Sequence, residues 1–330
     1  EPVRVVRFRG YNTGWLRLAP MMYATRPHLA GADLVLAINA TYGGIIAWRA
    51  YHKHGVPYLA FAYAYEFLKF EKTPNLRRLL RKIYADARRI IAISRFTRDR
   101  LVEFGVSGEK IDVVFPGAST QMLNAKVTGE DVKALRREYG LGKARIILAV
   151  GRVIERKGFL TLVLAMPAIL ENNPRTKLVI VGRGPDLAHI QDMVKHLNAT
   201  DHVVFIPPVA EDTLAILYAL CDVFALPTGT APGGQVEGFG LVFVEAQAFG
   251  KPVVAGRSGG VKDAVIDGVT GLLVEPEDHE QLADAITRVL DDKGLAKRLG
   301  DAGRERVETE LNWTVFTRRT IEAAGFGDTP

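Results

Sequence analysis

Cysteine is nearly missing: the 330 residues hold one, Cys221. An internal disulfide is excluded, and with it any fold that depends on such staples. The lone thiol follows an apolar stretch and precedes a strand-like run, so it reads as core packing in a reducing compartment rather than as a nucleophile. Metal-binding spacings are missing too. The chain has no Asp-x-Asp and no His-x-x-x-His. His52 and His54 lie two apart on a predicted helix and do not share a face. No metal and no resident cofactor is expected. No Ser-His-Asp triad can be placed. Gly182-Arg-Gly-Pro185 lacks the third glycine and the later acidic residue of a dinucleotide fingerprint, so it reads as a tight turn. Long apolar runs are also lacking. The best window, Leu34 to Trp48, is broken by Asn39, Gly43 and Gly44, which rules out a bilayer-spanning helix there. Glu1-Pro-Val-Arg-Val-Val-Arg7 is too charged to read as a secretory leader. The expected location is cytoplasmic, free or peripheral on the inner face of a membrane.

What is present suits a globular α/β protein. Apolar residues make up 48% and the net charge is +6. Length predicts about two domains, and the positive balance suits anionic partners such as nucleotide diphosphates or acidic lipid. Strand-like runs at Val3–Phe8, Leu34–Ile38, Pro57–Phe61, Arg89–Ile93 and Asp112–Phe115 alternate with helical ones at 16–28, Tyr42–His54, Pro74–Arg88 and Arg95–Phe104, the last with Ser94 as N-cap and Gly105 as stop. Periodicity lapses over Pro116–Gly129, which reads as a linker. A second alternating series then runs from strand Arg145–Val150 to helix 295–308, followed by a helix over Trp313–Ala324. Strands alternating with helices predict parallel sheets covered on both faces, here two in tandem, with residues 1–120 and 121–311 as domains and helix 312–325 crossing back onto the first. Ligands are expected at the carboxyl ends of the strands, in a cleft between the domains.

The densest chemical signal is Gln235-Val-Glu-Gly-Phe-Gly-Leu-Val-Phe-Val-Glu-Ala-Gln247. Its glycines let the backbone approach a ligand, and the start of the following helix offers N–H groups to an anion. Carboxylates on such a loop repel phosphate unless they face hydroxyls or a cation. Glu237 and Glu245 therefore suit a ligand that is part anion and part polyol, as a sugar nucleotide is. A solvated helix start, with acids complementing the dipole, is the bland alternative. Gly151-Arg-Val-Ile-Glu-Arg-Lys-Gly158 follows a strand and places Arg152 and Lys157 where charge on a leaving diphosphate could be stabilised. Gly256-Arg-Ser-Gly-Gly260 ends a third strand and could add backbone donors, or serve only as a turn. The run Arg77, Arg78, Arg81, Lys82, Arg88 and Arg89 reads first as the solvated face of an amphipathic helix, with docking on anionic lipid as the rival reading.

Glu237-Gly-Phe-Gly-Leu with Glu245 eight residues on resembles the Glu-x7-Glu motif of retaining GT-B glycosyltransferases of glycosyltransferase family 4, with mannosyltransferase-type members the nearest in look. Gly151-Arg152, Lys157-Gly158, Tyr218 to Pro227, Gly250-Lys-Pro-Val-Val254, Gly259-Gly260 and Thr270-Gly-Leu-Leu-Val274 match in order, as do Ile93-Ser-Arg-Phe-Thr97 and Lys110-Ile111. The resemblance implies a GT-B fold, two Rossmann-like domains facing across a cleft. It implies a hexose moved from GDP-mannose or a UDP-hexose to a lipid or saccharide acceptor, with retention and without metal or nucleic acid. Gly151, Arg152, Lys157 and Gly182 would hold the donor diphosphate region. Glu237 with Gly238, Phe239, Gly240 and Leu241 would hold the sugar and its phosphate, and Glu245 the ribose. Glu237, Arg152, Lys157 and Tyr63 would carry the catalysis. Two departures stand out. The family's opening strand and glycine-rich loop have no counterpart, so a shortened first domain is expected. A histidine expected near the sugar is replaced by Tyr63, in Ala62-Tyr-Ala-Tyr-Glu66; either Tyr63 or Glu66 takes over its contacts, or Tyr63 is a core aromatic. A sugar-nucleotide epimerase of the same fold and a non-catalytic nucleotide-binding relative are the alternatives.

Overall fold

The computed structural model describes residues 18–29, 31–231 and 234–325. The strand read at Val3–Phe8 and the tail beyond Gly325 lie outside the described residues, and the helix read from residue 16 is described over Leu18–Leu29. The chain forms two compact units, one running to Val114 and resuming at Arg318, the other Phe115–Thr317.

In the first unit β1 (Val35–Ala37), β2 (Tyr58–Ala62), β3 (Arg89–Ala92) and β4 (Ile111–Val113) lie side by side in chain order, all parallel. Every residue of β2 is buried, as expected of a strand covered on both faces. Tyr58, Phe67, Ile83, Tyr84, Ile90 and Phe104 belong to one buried cluster around it. The Pro74–Asp86 helix turns Leu80, Ile83 and Tyr84 inward. Its basic face ends earlier than the sequence suggests. Arg89 opens β3 and forks onto Asp112, both bonds 2.6 Å, so it belongs to a strand-to-strand ion pair and not to the helix face. The Arg95–Phe104 helix begins and ends as its sequence predicts. Ser94 Oγ accepts the Thr97 N–H at 3.0 Å, and Gly105 closes the helix at φ 100°.

In the second unit β5 (Arg145–Val150), β6 (Thr176–Val181), β7 (Val203–Ile206), β8 (Val223–Leu226), β9 (Val253–Gly256) and β10 (Leu272–Val274) form one parallel sheet in the order β10-β9-β8-β5-β6-β7. The order reverses between β5 and β8. Loops leaving such neighbours part to opposite faces and open a crevice at their carboxyl ends. The loops concerned are Gly151–Gly158 and Pro227–Gly240, the two richest in site signals. The stretch Pro116–Gly129 carries a short helix, Thr120–Leu123, and packs onto this unit: Met122 is buried, Gln121 bonds Asp212 at 2.9 Å and Ser119 bonds Glu211. Cys221 is the C-cap of the Glu211–Leu220 helix, and burial pushes its thiol up to about 12. Among the described residues no helix is long and apolar enough to cross a membrane.

Ser94 is fully buried, and its hydroxyl also meets Thr97 Oγ1 at 2.9 Å. Ser94→Ala should lower the unfolding free energy by ~1–2 kcal/mol, the usual worth of a lost cap. Urea denaturation should show a lower midpoint at unchanged slope, with nucleotide affinity as in the parent.

Candidate active site

The Gln235–Leu241 segment leaves the end of β8's loop and enters the Leu241–Ala248 helix. Gly240 sits just before that helix at φ 98°, where a Cβ would lie 2.5 Å from the Phe243 ring. Only glycine allows this approach. No side chain caps the helix, so its first N–H groups are left for a ligand. Phe239 turns inward and stacks on Phe115 at 5.7 Å, which makes its side chain an anchor of the turn. The turn after β9 supports it from behind: Gly260 N–H donates to the Glu237 carbonyl at 2.9 Å.

Glu237 itself is gripped by two cations. Arg156 Nη1 and Lys157 Nζ donate to the same oxygen, Oε2, at 2.9 and 2.5 Å. The three side chains retain 14%, 21% and 11% of their exposure for Glu237, Arg156 and Lys157, so the pairs are largely withdrawn from water. Burial alone would raise the Glu237 carboxyl. Lys157 and Arg156 outweigh it and hold the carboxyl below its ordinary value. Two cations on one carboxylate leave a net positive charge beside the open helix start. Sequence reasoning picked Lys157 and passed over Arg156, its neighbour in the turn Glu155–Lys157. A turn has no periodicity from which to tell which of Arg152, Arg156 and Lys157 faces inward.

Arg152 goes elsewhere. It is exposed, has no partner among the described residues, and lines a hollow of about 820 Å³ with Gly151, Gly182, Arg183, Val209 and Leu214. This hollow lies at the carboxyl ends of β5, β6 and β7. Gly182 is required there, because a Cβ on it would stand 1.9 Å from the Gly151 carbonyl oxygen. Glu245 lies within the Leu241–Ala248 helix and accepts the Tyr218 hydroxyl at 2.7 Å. Burial pushes its carboxyl above the ordinary range, and the Tyr218 bond opposes that only in part. Tyr218 is fully buried. Its apolar helix gave no hint of a polar role beyond the hydroxyl itself. Within the first unit, Tyr63 follows β2 and stays 39% exposed.

Glu237 is ionised in the fold at a lower pH than in the unfolded chain, so its pairing adds stability above the ordinary 4.5 and loses it as pH falls through the depressed folded value. Glu237→Gln should cost ~3 kcal/mol at pH 7, because it leaves two buried cations short of their counter-charge. The gap between parent and variant in urea melts should narrow below pH 4.5. A gap independent of pH would contradict the ion-pair account.

Comparison with known proteins identifies the family and the fold. The Glycosyl transferases group 1 family matches residues 131–306, and Glycosyltransferase Family 4 matches residues 1–122. A GDP-mannose-dependent alpha-(1-6)-phosphatidylinositol monomannoside mannosyltransferase of Mycobacterium tuberculosis is 33% identical over 97% of this chain and 77% of its own length. Its monoacylated-substrate counterpart from Corynebacterium glutamicum is 30% identical over 96% and 76%. Among solved structures, Anabaena HepE with UDP and glucose superposes with a TM-score of 0.80 at 22% identity, covering 98% of this chain and 86% of that one. Sucrose-phosphate synthase from Thermosynechococcus elongatus gives 0.78 at 27%, covering 94% and 77%. Two parallel-sheet Rossmann-like units with an anion-ready helix start at a sheet's switch point are the GT-B architecture, and the chain belongs to the group 1 glycosyl transferases, as a glycosyltransferase with mannosyltransferase relatives.

Proposed function

We propose that the protein transfers a hexose from a nucleotide-diphosphate sugar, with GDP-mannose the first choice and a UDP-hexose the second, to a lipid or saccharide acceptor, with retention at the anomeric carbon and without metal. The observation that carries this is the Glu237–Arg156–Lys157 cluster beside an uncapped helix start. Fixed N–H groups and a surplus of positive charge favour a diphosphate, and they favour it more as it leaves with added charge. Glu237 and the Gly238–Leu241 backbone hold the sugar and its phosphate. Arg152 and Gly151 face the nucleotide end, whose base fills the largely apolar hollow beside Gly182. Glu245, its carboxyl fixed by Tyr218, receives the ribose hydroxyls. In the transfer the bond from the anomeric carbon to the phosphate oxygen breaks, the acceptor oxygen bonds to that carbon on the same face, and the acceptor proton passes to the departing phosphate. The names of the mycobacterial and corynebacterial relatives favour GDP-mannose and a phosphatidylinositol-based acceptor.

A thermal-shift panel of GDP, UDP, ADP and their sugars tests the donor assignment. The correct nucleotide at 100 times its Kd should stabilise the fold by about 2.7 kcal/mol. Lys157→Ala and Glu245→Ala should each weaken that nucleotide by about tenfold or more, ~1.4 kcal/mol. Parent-like affinity in both would remove the site assignment. Turnover should be unchanged by EDTA.

A lipid acceptor requires approach to a membrane, and the face built by Lys72, Arg78, Arg81 and Lys82 supplies the charge for it, around a hollow of about 660 Å³. Flotation with phosphatidylinositol vesicles should recover the protein at low salt and lose it at high salt. Arg78→Glu with Lys82→Glu should abolish recovery.

A further inference from the structure

The turn that follows β2 is strained. Ala64 has φ 77° and ψ −62°, a conformation natural to glycine and costly for alanine. It separates Tyr63, which is partly exposed, from a four-residue helix, Tyr65–Leu68. Such a turn persists only when its surroundings over-determine it, and the strongest hold visible is Glu66. Its Oε1 accepts the Tyr63 backbone N–H at 2.7 Å and the Tyr84 hydroxyl at 3.4 Å. The residue is only 6% exposed, yet its second oxygen, Oε2, finds no hydrogen-bond partner among the described residues. Phe67 meets Tyr84 edge to face at 6.1 Å and keeps the short helix seated over the same tyrosine. A buried carboxyl with one oxygen committed to a strained turn and the other uncommitted is an expensive feature for a fold that needed only a cap.

We propose that Glu66 is a positioning residue: its carboxyl holds the Tyr63–Ala64 turn at the end of β2 in its strained form and thereby sets the Tyr63 hydroxyl for contact with a sugar hydroxyl of the acceptor. The proposal rests on the glycosyltransferase reading above, in which Tyr63 stands where a sugar-side residue is expected. The groups acting on Glu66 are Tyr63 in the turn, Lys69 at the end of the short helix and Tyr84 from the Pro74–Asp86 helix. Burial outweighs the pull of the Tyr63 and Glu66 backbone N–H groups, the Tyr84 hydroxyl and Lys69, and pushes the carboxyl up to about 7. Glu66 therefore changes charge across the neutral range. Protonation leaves Oε1 as an acceptor for Tyr63 N–H and removes the cost of the buried charge. Ionisation strengthens the Tyr63 N–H bond itself, but the burial cost outweighs that gain, so the neutral form keeps the carboxyl seated at the turn and ionisation weakens its seating.

Two readouts test this. In proton–nitrogen NMR spectra of the full chain, the Tyr63 amide should titrate with a midpoint of about 7, and Glu66→Gln should flatten that titration. The kinetic readout uses GDP-mannose over vesicles carrying phosphatidylinositol monomannoside. Glu66→Ala should cut kcat by roughly tenfold or more at unchanged donor KM, the mark of lost positioning rather than lost donor binding. Glu66→Gln, which keeps the acceptor oxygen, should restore activity to the level of the parent's acidic limb and erase the ionisation near neutrality. In a Tyr63→Phe background, Glu66→Ala should add less than about a twofold loss, since the two act as one unit. Parent-like kcat in Glu66→Ala, or an unchanged pH profile in Glu66→Gln, would overturn the proposal. Should Glu66→Ala fail to fold, Glu66→Gln and the amide titration decide alone. A Tyr63→Phe enzyme with parent kcat would instead sink the sugar-contact assignment of Tyr63, while the amide titration would still show whether Glu66 governs the turn.

Discussion

A carboxylate withdrawn from water must be matched by charge, and the second unit's ligand-facing end is arranged around one such match. Glu237 could not keep its charge at 14% exposure without Arg156 and Lys157 on the same oxygen. The two cations come from the loop after β5 and the carboxylate from the loop after β8, the neighbouring strands at which the sheet order reverses. The ion pairs therefore tie together the two sides of the crevice that the topology opens. Other features follow from that tie. Gly240 must let the chain turn hard against Phe243 so that the helix starts beside the pair, and the turn after β9 must reach the Glu237 carbonyl to keep the carboxylate aimed. The helix start then faces a cluster whose net charge is already positive, so dipole and side chains reinforce each other toward an anion.

This logic explains what could be read from the sequence and what could not. Strand and helix positions were legible because both kinds of element repeat. Tyr42–His54, Val223–Leu226 and Trp313–Ala324 lie where periodicity and punctuation place them. Glu237 and Glu245 were legible as candidates because they flank a glycine-bearing turn that runs into a helix-compatible stretch. Arg156 was not, since a one-turn segment between two glycines carries no pattern that distinguishes inward from outward cations. Tyr65–Leu68 was hidden for a related reason: four residues after a strained alanine have no helical signature, and the strain is visible only as a torsion. Arg89 shows the converse failure. Its neighbours in sequence are basic, so it reads with them as helix surface, whereas its partner Asp112 is remote in the chain and adjacent only across a parallel sheet.

Glu237 and Glu245 also show how one motif gives two carboxylates different characters. The same helix start serves both, and both are mostly buried. Glu237 meets two cations and is held ionised below the ordinary range, while Glu245 meets a phenol hydroxyl and is pushed above it by burial, with Glu211 adding to the rise and Lys157 opposing it. A group pinned as an anion between cations is poorly suited to collect a proton, because protonation would strand Arg156 and Lys157 without their counter-charge. A carboxyl that already accepts the Tyr218 hydroxyl on one oxygen keeps acceptor capacity for hydroxyls such as those of a ribose. The opposite displacements thus divide the labour that the proposed reaction needs. In the proposed transfer Glu237 would tether the cations that face the departing phosphate, Glu245 would meet the ribose hydroxyls, and the acceptor's proton would be left to the phosphate itself.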